Sequence, residues 1–167
     1  MTAAETELAL HARVDAFYRR EAMLLQGGRY REWLNLIDDS IVYRVPTHRS
    51  IADDADCESE RLGYYDEDHR MLEARVAKLE SKFSWVEHPP SRLRYFTQLL
   101  EASIATDGMI DARCNVLLFQ HRWNLEQYFS AERRDRLADH RGTLRLISRT
   151  VYLDREILGS QGLAVLF

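Results

Sequence analysis

The stretch Phe83-Ser84-Trp85-Val86-Glu87-His88-Pro89-Pro90-Ser91-Arg92-Leu93-Arg94-Tyr95-Phe96 divides the chain into two halves of different periodicity. Pro89 lacks a backbone N–H and fixes its own φ, and His88 and Pro89, each preceding a proline, are pushed toward extended geometry. A helix ending near Phe83 therefore hands over to a strand beginning near Arg92. Before this elbow the apolar spacing is helical; after it the spacing is that of long strands.

In the first half, Leu10, Val14, Phe17, Tyr18, Met23, Leu24 and Leu25 recur close to every 3.6 residues and predict an amphipathic helix over Thr6 to Leu25. Gly27-Gly28 stops it, and Tyr30, Trp33, Leu34 and Ile37 predict a second short helix over Arg29 to Leu36. Asp38-Asp39 read as a turn before a strand from Ile41 to Val45, which ends at Pro46. Thr47 to Gly63 is polar, acidic and aperiodic, as expected of a surface loop. Helical spacing returns over Asp66 to Lys82, with Leu72, Val76, Leu79 and Phe83 on one stripe and acids in the first turn, where the helix dipole favours them.

In the second half, extended segments Arg92 to Ala105 and Met109 to Trp123 flank Thr106-Asp107-Gly108, and Asp-Gly between such segments signals a hairpin. Leu125 to Leu137 is a third strand, with Glu132-Arg133-Arg134-Asp135-Arg136 read as its solvated tip. Asp139 to Gly142 turns into a fourth strand, Thr143 to Leu153. The segment Leu163 to Phe167 is apolar throughout and is expected to be tucked into the core. Helices followed by consecutive long strands imply an α+β fold. The expected form is a cone-shaped, curved antiparallel sheet wrapped around the N-terminal helices, with all 167 residues in a single domain.

Composition narrows the function. A formal net charge of -4 carries no basic footprint, which argues against nucleic acid as a partner. Arginine greatly outnumbers lysine, which leans toward planar ion pairs and partner surfaces. Two distant cysteines, Cys57 and Cys114, no secretory apolar region over Met1 to Leu10 and no run long enough to span a bilayer predict a reduced, cytoplasmic protein. The six histidines are scattered without metal-ligand spacing, and no nucleotide-binding, nucleophile-elbow or iron-cluster motif is present, so neither metal nor cofactor nor catalytic residue is assigned to this chain. The remaining catalytic constellation is an inward acid and base pair drawn from Tyr18, Asp38 or Asp39, Tyr43 and His121. The bland reading of those residues, turn aspartates and core tyrosines, is the commoner one.

Several segments in order resemble the small (β) subunits of aromatic-ring-hydroxylating dioxygenases. They are Phe17-Tyr18-Arg19-Arg20-Glu21-Ala22, Glu32-Trp33-Leu34, Trp85, Pro89-Pro90-Ser91-Arg92, Arg94, Glu132-Arg133-Arg134-Asp135, Arg149-Thr150-Val151-Tyr152-Leu153-Asp154 and Leu163 to Phe167. The resemblance implies the fold of nuclear transport factor 2 and the cystatin-like cone proteins. It also implies a structural role in a heterohexamer of three large and three small subunits, with the small ones as a trimeric base. A Rieske 2Fe-2S cluster and a mononuclear Fe(II) would belong to the large subunit, fed by a ferredoxin and a reductase, and the reaction would add dioxygen across an aromatic ring to give a cis-dihydrodiol. By the same resemblance Arg92, Arg94, Arg149 and Asp154 are candidate subunit-interface residues, and Trp85 and Phe167 packed anchors. Tyr95 departs from the family, many members of which have histidine there, and the Thr47 to Gly63 loop is not matched. The competing readings are a stand-alone cone-fold isomerase or dehydratase of a small apolar substrate, using the inward Asp or His with a Tyr, and a homo-oligomeric binding module without chemistry.

Overall fold

A computed structural model of the chain describes residues 3–46, 63–80, 91–154 and 166–167. The proline elbow with Trp85, and the expected loop up to residue 62, lie outside the described residues.

Helix α1 runs over Ala3–Gln26 and buries Leu10, Val14, Phe17, Tyr18, Ala22, Leu24 and Leu25. Met23, expected on that stripe, is exposed, and Glu21 takes its place inside. The helix ends in a Schellman motif: Arg29 N–H donates to the Leu24 carbonyl at 2.9 Å and Gly28 N–H to that of Leu25 at 3.2 Å, with Gly28 at φ +66°. The second helix, α2, is a single turn over Tyr30–Leu34, shorter than the sequence predicted, and it buries Trp33 and Leu34.

Strand β1 covers Ile37–Pro46 and so includes the two aspartates expected as a turn. The turn chemistry is present inside the strand: Asp38 Oδ1 accepts from Ser40 N at 3.0 Å and Ser40 Oγ at 2.7 Å, where the register shifts between Ile37 and Val42. A strand absent from the sequence reading, β2 over Gly63–Glu67, pairs antiparallel with β1. It takes the first residues expected in the following helix, so α3 begins at His69 and runs to Glu80. The acids expected in its first turn precede it instead, and Asp68 Oδ1 caps the helix by accepting from Met71 N at 2.8 Å. Leu72 and Val76 are buried as the stripe predicted.

The remaining strands are β3 (Arg92–Ile104), β4 (Ile110–Arg122), β5 (Leu125–His140) and β6 (Thr143–Leu153). Hairpin turns join them, the first with Gly108 at φ +82° and Met109 N–H donating to Asp107 Oδ1 at 3.1 Å. The β5–β6 turn has Arg141 at φ +55° and Gly142 at φ +92°, the left-handed pair that matches strand twist in a two-residue loop. The six strands form one sheet in the order β2-β1-β6-β5-β4-β3. It is mixed rather than wholly antiparallel, because β1 lies parallel to β6. Parallel neighbours need a long crossover, and the whole meander between them supplies it. Alternation along β4 sends Ile110, Ala112, Cys114, Val116 and Leu118 to the inner face, and α1 packs there against β3.

Candidate functional site

The charge run Glu132 to Arg136 is not a solvated tip. It lies in the middle of β5, and strand alternation splits it between the two faces of the sheet. Outward, Arg134 pairs with Glu132 at 3.2 Å and Arg136 with Asp111 at 2.8 Å. Inward, Arg133 and Asp135 are 1% and 2% exposed, and they meet Arg149 of β6 at 0% and Glu21 of α1 at 1%. Two cations and two anions therefore sit in the core with no formal net charge.

Arg149 reaches this group because of a bulge. Arg136 opposes Ser148 while Leu137 opposes Leu146, so Ile147 is an extra residue on β6. Leu146 and Arg149 are an odd number of positions apart, yet both are fully buried. A regular strand would send them to opposite faces; the added residue turns Arg149 inward.

The Arg149 guanidinium uses all of its edges. Nε and Nη2 donate to the two Asp135 oxygens at 2.9 and 2.6 Å, Nη1 and Nη2 donate to the two Glu21 oxygens at 2.7 and 3.1 Å, and Nη1 also donates to the main-chain oxygen of Phe167 at 2.6 Å. Arg133 Nη1 donates to Glu21 Oε2 at 3.0 Å and Nη2 to Cys114 Sγ at 3.5 Å, and its guanidinium lies 4.8 Å from the Tyr18 ring centroid. Trp33 Nε1 completes the set by donating to Glu21 Oε1 at 3.1 Å. Tyr18 Oη and Arg133 Nε have no hydrogen-bond partner among the described residues.

Burial alone would raise the Glu21 pKa, but Arg149 and Arg133 outweigh it and hold the carboxyl below its ordinary range. A carboxylate saturated by two guanidinium groups and an indole is a poor proton acceptor at neutral pH. The cluster is a brace joining α1, α2, β5 and β6, rather than an acid and base pair.

The inward pair expected from the sequence is not brought together. Tyr18 and Tyr43 are buried, but Asp38 is engaged by Ser40, whose hydrogen bonds hold its carboxyl below the ordinary range. The Asp39 side chain is almost wholly exposed, and His121 stacks on Phe119 at 6.4 Å, on the outward register of β4. Among the described residues no group of three or more His, Cys, Asp or Glu converges to hold a metal ion, and no described helix is long and apolar enough to cross a membrane.

Of the interface candidates, Trp85 lies outside the described residues, and Arg149 and Phe167 are buried within the chain. Phe167 packs edge-on against Phe129 at 5.8 Å. Asp154 is exposed and accepts from Ser130 Oγ at 2.6 Å. Arg92 and Arg94 are exposed on the outward register of β3 and have no acidic partner among the described residues; Arg94 Nη1 donates only to the Leu93 carbonyl, at 3.0 Å. Beside Arg94 across the strands lie Phe119 and Tyr128, with rings 5.1 Å apart, and next to them the exposed Phe96 and Leu117.

Three tyrosines of the interior report on its dryness. Tyr43 is pushed up to about 12, and Tyr18 and Tyr95 well above their ordinary value, by burial first. A phenol whose folded pKa is raised contributes stability below its unfolded value, roughly 10, and loses it as pH rises through the folded value. Absorbance titration at 295 nm is accordingly expected to show three of the eight tyrosines resisting ionisation until the chain unfolds in alkali. A reversible titration of all eight near pH 10 in the folded chain would contradict a dry interior.

Glu21, Arg133, Asp135 and Tyr95 are the interior polar residues that sequence reasoning missed. Their signals were a glutamate three residues after Tyr18 and four after Phe17 on an apolar helix face, and the inward set Ala131, Arg133, Asp135, Leu137 with apolar ends.

Comparison with known proteins bears on the whole chain. The family model described as the ring hydroxylating beta subunit matches residues 20–160. A chain of naphthalene 1,2-dioxygenase, solved with indole bound in the active site, is similar over 100% of this chain and 95% of that one, at 24% identity and a TM-score of 0.83. The beta subunit of benzoate 1,2-dioxygenase from Burkholderia mallei is similar over 90% of this chain and 95% of its own, at 18% identity and a TM-score of 0.70. ActVI-ORFA from Streptomyces coelicolor is similar over 89% and 97%, at 19% identity and a TM-score of 0.63. At these identities the structural likenesses establish a shared cone-type fold.

Proposed function

The chain belongs to the ring hydroxylating beta subunit family, and on that premise we propose that it is the structural, non-catalytic small subunit of a heterohexameric terminal oxygenase. Three such chains form a trimeric base for three large subunits. The large subunits carry the Rieske cluster and the mononuclear iron, receive electrons from a ferredoxin and reductase, and convert an aromatic ring to a cis-dihydrodiol. All 167 residues act as one domain of this cytoplasmic assembly.

The observation that carries the reading is the contrast between the two faces of the sheet. The inner charges are paired with one another, whereas Arg94 stands outward beside exposed Phe96, Leu117 and Tyr128. Arginine with clustered aromatics is the composition enriched at protein interfaces. Arg92 and Asp154 flank the same outward surface and are the further contacts proposed.

Co-expressed with its large subunit, the chain is expected to elute as one large complex. Arg94→Ala weakens that association about tenfold or more, while the isolated chain melts within about 2 °C of the wild type, because the residue is exposed. Unchanged assembly together with lost turnover would give Arg94 a catalytic role. Stoichiometric iron and turnover in the chain purified alone would overturn the proposal.

A further inference from the structure

The inner face of the sheet closes on Leu166 and Phe167, and both are held through their main chain. Phe167 N–H donates to Tyr43 Oη at 2.9 Å, and its oxygen accepts from the same hydroxyl at 2.8 Å and from Arg149 Nη1 at 2.6 Å. The Leu166 oxygen accepts from Tyr95 Oη. The Phe167 ring is fully buried, edge-on to Phe129. Tyr43, Tyr95, Phe129 and Arg149 come from β1, β3, β5 and β6, all ordered by their own ladders and by the Glu21 network.

Those four residues form a socket with a defined specificity. The recess against Phe129 takes an aromatic ring, the Tyr43 hydroxyl takes an amide N–H, and Tyr43 with Arg149 takes an oxygen of the same residue. We infer that the inner face carries a small-molecule site for N-acylated aromatic amino acids, filled in cis by Leu166 and Phe167. A tethered occupant acts at an effective concentration of about millimolar or above, so a free ligand enters only when the tethered one is cut back. The inference stands on this chain alone and does not depend on assembly with a large subunit.

Two variants test it by thermal melting. In the full chain, Phe167→Ala keeps the main-chain bonds and empties only the ring recess. Toluene at about ten times its dissociation constant is expected to raise the melting temperature of this variant by about 3 °C and to leave the wild type unmoved. In a chain ended after Val165, N-acetyl-L-phenylalanine gives a rise of about the same size and N-acetyl-L-alanine gives none. The inference is overturned if Phe167→Ala does not respond to toluene, or responds no more than the wild type. It is equally overturned if the shortened chain responds to the alanine and phenylalanine derivatives alike. Should the shortened chain show no melting transition, the toluene result decides.

Discussion

Glu21→Ala is expected to cost about 3–5 kcal/mol, the usual penalty for removing one partner of a buried ion pair. A domain of this kind is stable by about 5–15 kcal/mol in total, so the variant is marginal or unfolded at growth temperature. The loss exceeds that of the contacts themselves. Arg149 keeps Asp135, but Arg133 is left in the core with only Cys114 and the Tyr18 ring, and Trp33 Nε1 loses its acceptor. Urea denaturation of the isolated chain measures the effect, and a change below about 1 kcal/mol would mean that water or relaxation replaces the carboxylate. The same group sets an acid limit. Its folded pKa is depressed, so the stability it adds is present above the unfolded value of roughly 4.3 and is lost as pH falls through the lower folded value. A Glu21→Gln chain, already lacking that charge, should show a flatter decline in acid than the wild type.

Arg149→Ala is expected to be comparably severe, about 3–5 kcal/mol, and to act through the opposite sign. Asp135 loses its paired donors, Glu21 keeps only Arg133 and Trp33, and the Phe167 oxygen keeps only Tyr43. Arg149→Lys should recover only part of this, because an ammonium cannot bridge two carboxylates with a planar fork. The contrast with Arg94→Ala is the useful one. Arg149 should lower the melting temperature of the isolated chain before any partner is added, and Arg94 should not. An Arg149→Ala chain that melts normally but fails to assemble would locate that residue's role at a contact between subunits.

The difference between these two arginines shows where the sequence was readable. Strand and hairpin order from Arg92 onward was legible because each pairing is local and Asp107-Gly108 and Arg141-Gly142 mark their own turns. The α1 stripe was legible for the same reason. The parallel pairing of β1 with β6 and the short edge strand β2 were not, since neither leaves a local signature. The charge cluster was least legible of all. Glu21 meets Arg133 and Arg149 across sequence separations of 112 and 128 residues, and a charged run in a strand is more often solvated than split. Alternation alone would have sent Arg133 and Asp135 inward, beside Ala131 and Leu137. Nothing local announces that Arg149 follows them, because its direction depends on one residue of β6. The reading of Tyr18, Asp38 and His121 as a catalytic set failed on geometry, with the three on different faces and already engaged or shielded.

That one residue gives β6 a property resembling a reading frame. Ile147 sits between Leu146, in phase with the hydrocarbon core, and Arg149, in phase with the ions. Deleting Ile147 alone would leave Leu146 and Arg149 two positions apart on a regular strand, both still inward. A β6 that kept Ile147 but ran without the bulge would instead present Ser148 and Thr150 to Glu21 and Asp135 and turn Arg149 to solvent. It is therefore the bulge, more than the identity of Ile147, that the buried charges hold in place.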